Sequence, residues 1–361
     1  MGSTRIIFAG GFLGAGKTTL LWKAAKRLMD KNLRVGLVTN DQAPELVDTV
    51  LLSQNGLRVA EVCGSCFCCN FNGLTDAIKK IGTETYADII IAEPVGSCTD
   101  LSATIMQPLK KLHKELILSP FSVLVDPFRL RSILSGSNFG LHPDAVYIVR
   151  KQLEESDIIL INKTDCLQPD ELQVLIDRSS QEFPDSKVMT ISAASEEGID
   201  AWLDEVTSRT DAGKHIVEVD YDIYAHGEAV LGWLNGTVNL KGDTDWDELL
   251  SQLMIALGNQ FDSNENAVGH VKVILENGNN YIVGNLTGTV ETLSIRGTAG
   301  EGKEVKLIIN ARVETTPDNL ENIVKDVLYT ATSGLTMEIV AWRCLQPGRP
   351  NPTYRYTQVV K

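Results

Sequence analysis

The sequence predicts an α/β architecture, a mostly parallel sheet with helices on both faces, followed by a smaller α+β domain. Three observations predict it. Short apolar segments alternate with amphipathic ones as far as residue 209. A glycine-dense turn, "GGFLGAGKTT" at 10–19, joins the first apolar run to the first amphipathic one. After about residue 210 the texture changes to polar chain, and then to several strand-like runs with two helical ones. Buried strands that alternate with helices imply βα crossovers.

Taken in order, 5–10 reads as a buried strand, 17–32 as an amphipathic helix, and 33–40 and 56–62 as strands. A helix at 73–84 precedes a strand and loop at 87–96 and another strand at 121–127. The helix at 143–157, the strands at 158–162 and 187–193 and the helix at 198–209 complete this half. The stretch 210–228 is polar without a clear period. Strands follow at 229–240, 267–278, 280–288, 289–297 and 304–314, with helices at 245–261 and 316–333. Thr316 can cap the last helix, with Pro317 at its first position. The tail 346–356 is proline-rich and reads as extended.

At 361 residues the chain exceeds one ordinary core. The reading is a domain over 1–210, a linker over 211–226 and a second domain over 227–361. A net charge of −14 argues against nucleic acid or an anionic membrane as the main partner, since both reward basic patches. No apolar run approaches the ~20 residues that span a bilayer, and no signal-peptide pattern opens the chain. The expectation is a cytoplasmic protein. Its seven cysteines then read as thiols, metal ligands or redox groups rather than structural disulfides.

Gly11, Gly16, Lys17 and Thr18 match G-x-x-x-x-G-K-[ST], with the required strand before and helix after. The glycines let backbone N–H groups converge on phosphates. Lys17 supplies charge to them, the Thr18 hydroxyl can ligate Mg²⁺, and the helix dipole points at the anion. Gly14, Ala15 and Thr19 complete the cradle.

"NKTD" at 162–165 follows a buried strand. Asp165 can accept two hydrogen bonds from the guanine edge, which adenine does not offer. Asn162 and Lys163 flank it, and Ser192 and Ala193 in "ISA" fit a backbone contact to the base. The nucleotide is then GTP or GDP. Glu93 and Gly96 end the strand "IIIAEPVG". Glu93 can hold Mg²⁺ or its water, and the Gly96 N–H can report on the γ-phosphate. Asp41 is a second candidate for Mg²⁺ or for the attacking water, and it can also be read as a helix cap. Lys17, Asp41, Glu93 and Gly96 form the expected catalytic set. No arginine finger is evident in the chain, so turnover is expected to be slow unaided.

Cys63, Cys66, Cys68 and Cys69 fall within seven residues. Thiolates this close can converge on a soft or borderline cation such as Zn²⁺, Co²⁺ or Cu⁺. Cys63 has the spacing of a fourth ligand. Buried structural thiols and a C-x-x-C redox pair are the other readings of the same residues.

"GFLGAGKTTLL", "CFCC", "EPVG" and "NKTD", in this order, resemble the CobW/HypB/UreG family of P-loop GTPases, and its CobW-like branch in particular. The resemblance covers about 4–210. It implies a Rossmann-like P-loop NTPase domain, and metal binding by Cys66, Cys68 and Cys69. It also implies a metallochaperone or insertase role, in which GTP orders the metal site and hydrolysis resets it. Cobalamin synthesis is among the pathways such proteins serve, and a homodimer facing across the nucleotide is among their states. The chain departs from the resemblance in having only five histidines, in "TNDQA" after its second strand, and in the extra Cys63. Two functions follow as expectations. The first is a GTP-hydrolysing metallochaperone loading Zn²⁺ or Co²⁺ into a client metalloenzyme or cobalamin-related protein. The second is a regulatory GTPase switch for a corrinoid or metalloenzyme partner, with a sensing or structural metal. A thiol redox protein is a third and lesser reading.

Overall fold

The computed structural model describes residues 3–41, 47, 57–138, 140–278 and 280–361, without the side chain of Asp41. The first part runs β1 (Arg5–Gly11), α1 (Lys17–Asp30), β2 (Val35–Asp41), β3 (Arg58–Cys63), α2 (Phe71–Thr85) and β4 (Ile89–Glu93). A π-helical turn (Ser102–Met106) leads into α3 (Gln107–Leu112), then β5 (Ile117–Leu118), β6 (Ser122–Val125), α4 (Pro127–Leu134) and α5 (Pro143–Glu154). β7 (Ile158–Ile161), α6 (Pro169–Glu182), β8 (Lys187–Thr190) and α7 (Ile199–Ser208) close it. The second part runs α8 (Tyr221–Ala229), β9 (Leu231–Lys241), α9 (Trp246–Ser263), β10 (Val268–Asn277), β11 (Asn280–Leu286) and β12 (Ser294–Thr298). It ends with β13 (Glu304–Glu314), α10 (Pro317–Ala331) and β14 (Thr336–Leu345).

The first sheet has the order β3-β2-β4-β1-β6-β7-β8, with β5 beside β1 and every pairing parallel. Strand alternation sends the side chains of β1 to opposite faces. Ile7 and Ala9 pack with Leu21 and Leu28 of α1 and Trp202 of α7. Ile6 and Phe8 pack with Phe71 and Ile78 of α2 and Ile148 of α5. This is the doubly covered parallel sheet that the alternation predicts.

The second sheet is antiparallel, in the order β12-β11-β10-β13-β9-β14. Val271, Val273 and Leu307 pack against Leu250, Leu253 and Leu257 of α9 and Val324 of α10. The same alternation turns His270, Lys272 and Arg312 the other way, toward the β1–α1 turn. There the buried Arg129 of α4 donates to the carbonyls of Leu13 and Gly269, so one guanidinium ties the first sheet's glycine turn to β10. Its burial lowers its pKa to about 10.

Several elements lie where the sequence showed little. α4, α6, α8, β14 and the helical run through 102–112 were not read. α6 sets Leu172, Leu175 and Ile176 against the core and then Ser179, so its apolar stripe is one turn long. α8 lies within chain read as aperiodic, and Asp220 starts it by accepting from the N–H groups of Asp222 and Ile223. β14 is an edge strand with most of its side chains exposed. The chain leaving α7 is docked by the buried Asp157, which accepts from the backbone of Phe121, Gly213 and Lys214. The tail returns to the first part: Thr353 N donates to Cys68 O over 2.8 Å and Tyr356 N to Ala103 O over 3.1 Å. No helix among the described residues is long and apolar enough to cross a membrane.

Candidate nucleotide and thiol sites

The glycine turn opens on a cleft of about 990 Å³ lined by Gly14, Gly16, Lys17, Thr18 and Thr19. Lys17 Nζ donates to Gly11 O over 2.8 Å and lies 3.8 Å from Glu93 Oε1, with both residues buried. Gly96 closes against them: a Cβ there would stand 2.8 Å from Leu13 Cδ2 and 3.2 Å from Lys17 Nζ. The structure therefore brings Lys17, Thr18, Glu93 and Gly96 to one end of the cleft. The Asp41 side chain lies outside the described residues.

At the other end, Asn162 Nδ2 donates to Ala15 O over 2.8 Å, and Asn162 Oδ1 accepts from Ala193 N over 2.9 Å. The side chain thus locks the 162–165 turn to both the glycine turn and the 191–193 segment. Ser192 Oγ donates to Asp165 Oδ1 over 2.5 Å, which aims that carboxylate. Lys163, in the left-handed region, pairs with Asp126 at 2.8 Å. Asn162, Lys163, Asp165 and Ala193 all line the cleft.

Cations from the second sheet border the same space. Arg312 stacks over the Trp233 ring at 4.3 Å and donates to Leu234 O. His270 is buried, and its pKa falls well below the usual imidazole range, first through burial and then through Lys272, Arg312, Lys17 and Arg129. It is a neutral imidazole among cations. Sequence reasoning found no arginine near the glycine turn, because Arg129 of α4 and Arg312 of β13 reach the cleft from positions far along the chain.

The ligating atoms of Cys66, Cys68 and Cys69 lie within 4.8 Å of one another. Cys66 Sγ and Cys68 Sγ are 3.0 Å apart, and all the cysteines are free thiols. Hydrogen bonds from Cys68 and Cys69 push the Cys66 pKa well below that of an ordinary thiol. The same sharing pushes Cys68 well up, and Cys69 to about 11. The shared hydrogen bonds favour ionisation at Cys66, and the three sulfurs are a donor set that fits a thiophilic cation and expels protons on binding it. Asn351 N of the tail donates to Cys69 Sγ over 3.2 Å. Cys63 is placed elsewhere: it is exposed, and its thiol donates to Glu61 over 3.1 Å.

Sequence reasoning also missed Cys98. It is buried, and its thiol interacts with those of Cys66 and Cys68. The signal was a cysteine two residues after the E-x-x-G motif, far in sequence from the other thiols. The loop that carries Glu93, Gly96 and Cys98 is held along its length. Gln152 Nε2 donates to the carbonyls of Gly96 and Cys98. Ser97 Oγ donates to Glu228, Thr99 N to Tyr224 Oη, and Thr99 Oγ1 to Glu155.

The sequence profile of the CobW/HypB/UreG nucleotide-binding domain matches residues 5–190. The zinc chaperone YeiR of Escherichia coli (strain K12) is 31% identical over 184 residues, which are 48% of this chain and 50% of that one. The chain thus matches this curated relative over about half of the relative's length. Among solved structures, HypB from Helicobacter pylori in complex with nickel has 16% identity and a TM-score of 0.42, covering 58% of this chain and 87% of that one. Zn(II)-bound YjiA GTPase from E. coli has 15% identity and a TM-score of 0.35, covering 91% and 99%.

Proposed function

Since the chain belongs to the CobW/HypB/UreG family, we propose that it is a GTP-hydrolysing metallochaperone whose cargo is a thiophilic divalent metal, Zn²⁺ or Co²⁺. One observation carries the reading. The buried loop that begins 3.8 Å from Lys17 at Glu93 reaches the thiol cluster at Cys98. A change at the phosphates is thereby a change at the metal.

In this reading the phosphates sit on Gly11, Gly14, Ala15, Gly16, Lys17, Thr18 and Thr19. Asp165 reads the guanine, aided by Asn162, Lys163, Ser192 and Ala193. Thr18 and Glu93 are the residues that would hold Mg²⁺, which would supply positive charge to the phosphate oxygens. Arg129 and the cationic face of the second sheet add charge beside them. Cys66, Cys68 and Cys69 hold the cargo, and Cys98 supplies the thiol that follows the nucleotide. The client is a metalloprotein that accepts the ion when the loop relaxes.

The test is zinc affinity by chelator competition in reducing buffer, with GDP and then with a non-hydrolysable GTP analogue. The analogue should tighten zinc by about 5–150-fold, and zinc should tighten the analogue equally. With Cys66, Cys68 and Cys69 all serine, the effect should vanish. Equal zinc affinity in both nucleotide states overturns the reading, and leaves a GTPase switch whose thiols hold a structural ion.

A further inference from the structure

Three side chains that neither line the cleft nor belong to the thiol group converge at the surface where two helices meet. His142 precedes α5, and Asp144 lies in that helix's first turn. His226 lies in the last turn of α8, with Nδ1 2.5 Å from Asp144 Oδ2. His142 Nδ1 is 3.8 Å from the same oxygen. The two imidazoles stand edge to face with centroids 4.9 Å apart. A ligating atom from each of the three residues lies within 4.8 Å of the other two.

The convergence is built into the packing. α8 crosses α5 at Gly227, where a Cβ would stand 2.3 Å from Asp144 O, so only glycine lets His226 come this close. Glu314 Oε2 accepts from His142 N over 2.9 Å and brings a second carboxylate to the rim. The C-terminal end of α8 favours a cation; the N-terminal end of α5 opposes one, and Asp144 and Glu314 offset it. A His–Asp pair accounts for His226 and Asp144 alone. His142 Nδ1 also caps α5, accepting from Asp144 N over 3.2 Å, which leaves Nε2 as its ligating nitrogen. Capping alone does not account for an imidazole turned onto that of His226, in a chain with only five histidines.

Two imidazoles and one carboxylate suit a borderline divalent ion, and Zn²⁺ above Mg²⁺ or Ca²⁺, which take oxygen ligands. We propose that His142, Asp144 and His226 form a second zinc site, separate from the thiols. His226 is 57% exposed, so the site keeps open positions to solvent and exchanges its ion readily. α8 also carries Tyr224 and Glu228, which hold Thr99 and Ser97 beside Cys98. The second site therefore loads on a helix that braces the thiol loop.

The experiment uses the full chain with Cys66, Cys68 and Cys69 changed to serine, titrated with zinc against a chelator and with Co²⁺ by absorption. This variant should bind one equivalent of zinc, and its Co²⁺ spectrum should lack thiolate charge-transfer bands. His226→Gln, which keeps a hydrogen bond to Asp144, and His142→Gln should each weaken that binding by at least about tenfold. No zinc on the triple variant, or unchanged binding in His226→Gln, overturns the proposal. Should the triple variant fail to bind GDP, and so fail to fold, the wild-type chain decides. Its zinc stoichiometry should fall from two to one with His226→Gln, and an unchanged stoichiometry overturns the proposal. These readouts use no GTP analogue, so the outcome stands apart from the fate of the metallochaperone reading.

Discussion

The Gln152 amide donates to the Cys98 carbonyl over 2.8 Å, and from the same nitrogen to the Gly96 carbonyl over 2.9 Å. One buried side chain thus fixes both the residue beside Lys17 and the residue beside the thiols. Gln152→Leu leaves two buried carbonyls without this donor, at a cost on the order of 1–3 kcal/mol by urea denaturation. The ratio of zinc affinities between GTP-analogue and GDP states should fall toward one. A ratio equal to the wild type's would show that the brace plays no part in transmission.

Asp165 lines the cleft, aimed by Ser192, and the proposed function puts the guanine there. Asp165→Ala should weaken GDP by about 100-fold or more and leave ADP unchanged, since a site built to pair with a polar edge loses most when that pairing goes. Competition binding with both nucleotides checks it. An equal loss for both would point to a disturbed fold instead.

Glu155 is buried, and burial first, then the charge of Asp100, raises its pKa from 4.5 to about 8. Asp100 is itself held by Arg355 and Tyr221. The native state therefore keeps a proton that the unfolded chain releases. The resulting stability is full below about pH 4.5 and is lost as pH rises through about 8. Glu155→Gln, neutral throughout, should flatten the pH dependence of the urea midpoint across that window. A slope as steep as the wild type's would assign it to another group.

The tail docks on the thiol segment: Asn351 N donates to the Cys69 thiol and Thr353 N to the Cys68 carbonyl. A chain shortened after Leu345 should release zinc to a chelator at least about tenfold faster, as loss of a thiolate's outer hydrogen bond commonly weakens a metal site. Its GDP affinity should not change. Stopped-flow release with a chromogenic chelator measures the first, and nucleotide titration the second.

The parallel sheet, the glycine turn, the 162–165 turn and the three-thiol group were legible because each is local. A strand, a glycine run and a helix announce themselves within fifteen residues, and Cys66, Cys68 and Cys69 are near neighbours. What escaped was assembled across the chain. Cys98 joins the thiols from another loop, Arg129 reaches Gly269 across 140 positions, and His226 meets Asp144 across 82. α6 and α8 escaped for the opposite reason: the stripe of α6 is one turn long, and α8 buries a glycine and a glutamate where a stripe would be apolar.

The bond from Asn351 to Cys69 joins positions 282 apart. A contact of that span closes late, after the local elements on either side have formed. During the interval before closure the Cys69 thiol lacks this cover, 3.8 Å from Cys68 Sγ and open to dissolved oxygen as the oxidant. Refolding without metal then becomes a race between disulfide formation and burial, and a metal present from the start removes the competitor by occupying the sulfurs. The yield of active chain should therefore depend on when zinc is added as well as on how much, and pulsed alkylation during refolding would show Cys69 as the last of the three to become protected.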